Sequence, residues 1–337
     1  MANKTQFGIM PTGQVVDAYT LSAKEMRAVI LTLGGIVQKW ECFGTDIVAG
    51  FDTLSDYLED DSYQGALIGR TCNRIAHAQF SLHGKVYHLA QNDGAHHLHG
   101  GVCGFSRKVW QVVSVSETHI TLTYHSPDGE ENYPGNLDVF VTYTLSDEGL
   151  SIHYEAQSDA DTPFAMTNHC YYNLLGYGNG DILGHTLQIN ANQYTETDDS
   201  LIPTGRRIDV EGTHYDFRTP KLIGDNMPPN FRGFDDNFVF FESEKHSIMG
   251  ELLPCVSELS AGGLALRVYS DQPCMQVYIG NVLQGQPNMK GGLPKMPHHT
   301  ICLETQPEPN AVNHGGIILR AGERYMSTTV YNIHRQG

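Results

Sequence analysis

The sequence predicts an all-β protein: a large antiparallel β-sandwich, with residues 1–337 forming one domain. Three observations lead there. β-Branched and aromatic residues recur at every second position along much of the chain, whereas runs at helical spacing are short. Glycine supplies 35 of the 337 residues, above the usual share, and provides the turns that many short strands need. No segment repeats at a fixed period, which argues against a propeller or solenoid, and no Pro/Ser-rich linker divides the chain.

Taken in order, the apolar stretch Ala28–Val37 is broken by Thr32, Gly34 and Gly35 and is far too short to span a bilayer. Leu54–Leu58 has room for a turn or two of helix. Phe80–Leu82 and Lys85–Tyr87 flank His83-Gly84, a two-residue hairpin turn in which glycine tolerates positive φ. His119–Tyr124, Leu137–Leu145 and Leu150–Tyr154 read as strands, the last two separated by Asp147-Glu148-Gly149. Pro220–Gly224 reads as another short helical piece, Leu264–Tyr269 and Tyr325–Ile333 as strands, and Gln284–His299 as a loop.

Composition narrows the function. With 38 acidic against 21 basic side chains the formal charge is -17, which repels phosphate backbones and excludes nucleic acid as a partner. It also provides no electrostatic funnel for an anionic substrate, so a neutral small molecule is expected. The first ten residues contain no apolar core of a signal peptide. The seven cysteines are scattered, with no C-x-x-C pair, and read as free thiols in a reducing compartment. The expectation is a cytoplasmic protein that does not engage membranes.

Several constellations offer chemistry. Gly94–Gly101 reads GAHHLHGG. On a strand His97 and His99 share a face, but no carboxylate follows to complete a metal site. His96 and His97 are expected as surface or core histidines, and His99, followed by two glycines, as a pocket residue. In TNHCYYNL, His169 lies among tyrosines that stack on sugar faces as well as on core residues, while the adjacent Cys170 points the other way and forms no dyad with it. In CLETQPEPNAVN, Cys302, Glu304 and Gln306 share one strand face, so Glu304 is either an edge residue or a functional base. Asp235 and Asp236 sit between aromatics in FRGFDDNFVF, where a solvated turn is the plain reading. Gln276 and Tyr278 share a face and offer hydrogen bonds and a ring to a polar ligand. Together these propose a neutral-ligand pocket without a phosphate loop.

At these residues the chain resembles the galactose mutarotase (aldose 1-epimerase) family. The resemblance runs from about Gly69 to the C-terminus, through GRTCNRIAHAQFSLHGKVYHL, LHGGVCGFSRKVW, DGEENYPGNL, TNHCYYNL, DSLIPTG, GFDDNFVF and LETQPEPNAVN, in family order. It implies a supersandwich of antiparallel strands that interconverts α and β anomers of free aldohexoses such as galactose and glucose. It implies Glu304 as general base and His169 as general acid, with His99, Asp235, Asn73, Arg74 and Gln276 lining the sugar site. No cofactor or metal is implied, and the chain is expected as a monomer or homodimer. Asp236 stands where the family usually has histidine, Asn310 where it has aspartate and Cys170 where it has serine; these departures bear on sugar preference and leave the acid and base in place.

The chemistry agrees with that assignment. Opening a cyclic hemiacetal removes the proton from the C1 hydroxyl and protonates the ring oxygen; rotation about C1–C2 and reclosure then give the other anomer. A glutamate ionised at neutral pH accepts the first proton, and a histidine with a slightly raised pKa donates the second. The competing readings are a glycoside hydrolase using Asp235 and Glu304, and a sugar-binding module without catalysis. A hexose-6-phosphate epimerase would need a basic cluster beyond Arg70 and Arg74.

Overall fold

The computed structural model describes residues 2–336. Strands dominate, and the longest α-helix among the described residues is Leu54–Glu59. Thr53 caps that helix, its Oγ1 accepting the Asp56 N–H at 3.2 Å, so the short helical expectation there is met. Pro220–Gly224 differs: Lys221–Leu222 pairs as a short strand with Thr186–Leu187, and a 3₁₀ turn follows at Gly224–Asn226.

Three sheets carry the architecture. A ten-stranded antiparallel sheet runs from Gln111–Val115 through His119–Ser126, Leu137–Ser146, Gly149–Ser158, Arg324–Arg335, Leu264–Ser270 and Glu251–Ala261 to Thr186–Ile189 and its neighbours. Leu137–Ser146 alternates buried and solvent-facing residues along its whole length, which is the period-two signal read from the sequence. Leu82 pairs with Lys85 across His83-Gly84, both at positive φ, so the predicted two-residue hairpin is present. A five-stranded sheet from Asn3 to Asp46 was not anticipated from the sequence.

A six-stranded sheet positions the site. Its order is Tyr171–Tyr172, Ile301–Gln306, Cys274–Tyr278, Asp235–Phe240, Ala191–Thr197 and Pro203–Asp209. One face packs Ile301, Leu303, Met275 and Val277 into the main core, with Tyr331, Val268 and Leu266 of the large sheet. Ile301–Gln306 is buried at every position, so its opposite face, carrying Cys302, Glu304 and Gln306, is also enclosed. That enclosed face is where polar residues gather, and it places Glu304 on an inner strand of the sheet.

Candidate active site

Strand register sets out the site in two adjacent rows. Asn237, Gln276 and Glu304 are cross-strand partners in succession, and so are Asp235, Tyr278, Cys302 and Tyr171. Continuing the Cys302–Tyr171 register by two residues brings His169 beside Glu304, and Nε2 lies 3.6 Å from Oε1. The His169 main chain is held by its N–H on the Ala66 carbonyl and by the Gly65 N–H on its own carbonyl, both at 2.9 Å. Its ring stacks on Tyr171 at 5.0 Å between centroids, and its Nδ1 faces the Cys302 thiol at 3.5 Å. Cys170 instead packs into the core, away from the ring.

His99 arrives from another direction. His97 and Leu98 pair with Ile75 and Arg74, and a positive φ at His99 then breaks the alternation. The two histidines therefore diverge, contrary to the shared face expected of an H-x-H strand. His97 turns inward, bonding the Ala90 carbonyl at 2.9 Å and the Tyr133 hydroxyl at 2.8 Å. Gly100 is required for a different reason from ligand access. A Cβ there would lie 1.8 Å from the Gly69 carbonyl oxygen, so the loop can close only on glycine.

The cavity so formed measures about 560 Å³ and is lined by all seven residues singled out in the sequence: Glu304, His169, His99, Asp235, Asn73, Arg74 and Gln276. Tyr63, Tyr278, Asn281 and Arg232 also line it. Tyr278 carried a strand-face signal; Tyr63 and Asn281 carried none, because they come from loops whose paths periodicity does not reveal. Asp236, Cys170 and Asn310 are not among the lining residues. Asn310 Oδ1 accepts the Ala76 N–H at 3.0 Å, tying its loop to the turn that follows Arg74–Ile75. Asp236 lies buried rather than in a solvated turn, and burial raises its carboxyl to about 6.

The polar groups have a definite polarity. Asn73 N–H donates to His99 Nδ1 at 3.1 Å, so the neutral ring carries its proton on Nε2 and is a fixed donor. His99, His169 and Glu304 present ligand atoms within 4.8 Å of one another. A metal-bound histidine, however, donates its second ring N–H to an acceptor, and His99 Nδ1 instead receives a donor. This is the wrong polarity for a metal at His99 Nε2. Glu304 Oε2 and Gln276 Oε1 are buried with no hydrogen-bond partner, two acceptors left open.

Every basic group lining the cavity is matched by a carboxylate. Arg74 pairs with Asp93 at 2.7 Å, Arg232 with Asp236 at 3.1 Å, and Lys295 with Asp60. Arg70 lies outside the cavity, its guanidinium spent on neutral oxygens of Ser126, Pro127, Pro134 and Thr162. No basic lining group among the described residues is thus left uncompensated for a phosphate.

Burial pushes Glu304 well above the usual carboxylate range, helped by the nearby Asp235 charge. The same burial lowers His169 to about 4. Both directions oppose the expectation of an ionised glutamate beside a slightly raised histidine. The reason is enclosure: each group loses its water, and the charged form of each is disfavoured.

The aldose 1-epimerase family model matches residues 17–332. The chain belongs to the aldose 1-epimerase family. It is 39% identical to the galactose mutarotase of Homo sapiens, covering 98% of each chain, and 39% identical to that of Sus scrofa, covering 97% of this chain and 96% of that one. The aldose 1-epimerase of Haemophilus influenzae is 38% identical over 82% of this chain and 83% of its own. The solved structure of galactose 1-epimerase from Lactobacillus acidophilus superposes with a TM-score of 0.88 at 26% identity, covering 100% of this chain and 99% of that one. For this epimerase family member the fold expected from the sequence is the fold observed. No helix of the described residues is long and apolar enough to cross a membrane.

Proposed function

We propose that this chain is a mutarotase of free aldohexoses, galactose and glucose among them, with Glu304 as general base and His169 as general acid. The observation that carries the reading is the facing pair itself. Nε2 and Oε1 stand 3.6 Å apart without a hydrogen bond, beside an open Oε2, in a cavity of sugar size. Glu304 takes the proton of the C1 hydroxyl while His169 gives one to the ring oxygen. The charged pair becomes a neutral pair as the ring opens. Burial favours that discharge, and reclosure on the other face of the aldehyde recharges the pair. His99 donates from Nε2 to a substrate oxygen, and Asp235, Asn73, Arg74 and Gln276 hold the remaining hydroxyls.

The matched charges of the cavity support a neutral sugar over a sugar phosphate. Asp235 accepts Gln276 Nε2 at 2.7 Å, a positioning arrangement that a paired-carboxylate hydrolase does not need. Residues 1–337 act as one unit, monomeric or homodimeric. Seven free cysteines, five of them buried, support the cytoplasm as its place. Polarimetry of freshly dissolved α-D-galactose and α-D-glucose tests the reading; mutarotation no faster than the buffer blank would refute it.

Two further results are expected. The active pair holds one shared proton: adding a second at low pH, or removing it at high pH, stops the reaction. Because burial lowers His169 to about 4, the acid limb of kcat/KM should fall near there and not near the ordinary histidine value of about 6.5. Because it raises Glu304, the alkaline limb should lie well above the carboxylate range. Prolonged EDTA treatment should leave the rate unchanged, since His99 presents the wrong tautomer to a metal; loss of activity restored by a divalent ion would contradict that.

A further inference from the structure

Asp236 is a buried carboxylate on the far side of the strand from the cavity, and its bonds run back towards it. Its Oδ1 accepts Arg232 Nη2 at 3.1 Å and the Tyr215 hydroxyl at 3.3 Å, and its Oδ2 accepts the Asp235 N–H at 3.0 Å. Its side chain is 3% exposed. Arg232, by contrast, keeps 45% of its side chain exposed and lines the cavity. The turn between them is clamped: a Cβ at Gly233 would lie 1.9 Å from Asn281 Oδ1, while Asn281 Nδ2 donates to the Phe234 carbonyl at 3.0 Å. The Asp235 N–H alone would be satisfied by a neutral acceptor. A buried negative charge is otherwise costly, and the partner that needs it is the guanidinium.

We propose that Arg232 is a substrate-contacting, specificity-determining residue, and that Asp236 is the positioning residue that holds it over the Asp235 side of the cavity. The inference rests on the mutarotase reading and extends it. Asp235 lies two strands from Glu304, or about 10 Å at the usual strand spacing. Arg232 therefore meets hydroxyls remote from C1. A guanidinium only donates and a carboxylate only accepts. Asp235 gives Oδ1 to Gln276 and has no bond at Oδ2 among the described residues. Together Arg232 and Asp235 fit a vicinal diol, one hydroxyl accepting from Arg232 and its neighbour donating to Asp235.

The test is steady-state mutarotation kinetics on D-galactose and its 2-, 3- and 4-deoxy analogues. Arg232→Ala is expected to raise KM for galactose about tenfold or more, the scale of a lost charge-assisted hydrogen bond, with a smaller change in kcat. The increase should vanish for the one deoxy sugar that lacks the contacted hydroxyl, and Arg232→Lys should recover part of the affinity. Asp236→Asn keeps an acceptor for the Asp235 N–H and should raise KM in the same direction. Adding it to Arg232→Ala should change nothing more, because Asp236 acts through Arg232. If wild type is active and Arg232→Ala binds galactose as wild type does, Arg232 does not touch the sugar and the inference fails. If Arg232→Ala weakens all four sugars equally, the specificity role fails. Wild type without mutarotase activity would remove the underlying reading, a result distinct from either.

Discussion

Glu304→Gln is expected to lower kcat by about 10²–10⁴-fold with little change in sugar affinity. The amide keeps the size of the carboxyl and its place between Gln276 and His169, but cannot accept the C1 hydroxyl proton. Polarimetric kcat and KM decide the point, and near-wild-type turnover would defeat the mechanism. The same variant should be more stable than wild type at neutral pH. Glu304 is raised in the folded state, so its protonated form favours folding and its ionisation opposes it. Below about 4.5 the unfolded chain holds that proton too, and wild type has no disadvantage. As pH rises from the unfolded value towards the folded one, wild type loses stability that Glu304→Gln retains. Denaturant unfolding at pH 4 and pH 7 should show a gap between the two proteins that opens with pH.

His169→Asn should also reduce kcat by about 10²–10⁴-fold, because the ring oxygen loses its proton donor. The double variant is the more telling measurement. In the proposed mechanism both proton transfers belong to one step, so once either group is gone the other has little left to accelerate. Glu304→Gln/His169→Asn should be far less impaired than the product of the single losses. Independent multiplication of the two effects would mean that the groups act in separate steps, which a contact of 3.6 Å does not favour.

Alternation revealed the strands of the large sheet because each buries one face and leaves the other in water, as Leu137–Ser146 does. The N-terminal sheet escaped because its signal is irregular: Asn3–Ile9 has no buried residue, and a bulge interrupts its pairing with Val15–Ser22. For the site, the shared face of Cys302, Glu304 and Gln306 was readable from spacing alone. The roles proposed for Glu304 and His169 rest on resemblance, since nothing local in the sequence distinguishes a buried base from an edge carboxylate. The divergence of His97 and His99 was not readable, because it depends on one backbone angle at His99. Nor was the direction of the pKa shifts, which follows from an enclosure assembled by strands far apart in the chain.

Ile301–Gln306, packed on both faces, has a consequence for how the chain tolerates change over generations. Odd positions, Ile301, Leu303 and Thr305, answer to the core; the even positions Cys302 and Glu304 both face His169, and Glu304 lines the cavity with it. Random substitution at the first kind should diminish the amount of folded protein, while substitution at Glu304 leaves a folded protein that is idle. Two interleaved selective pressures thus share six consecutive codons, and no drift in pairing can relax one without violating the other. A slip of one residue would turn Leu303 towards the sugar and bury Glu304 among aliphatic side chains.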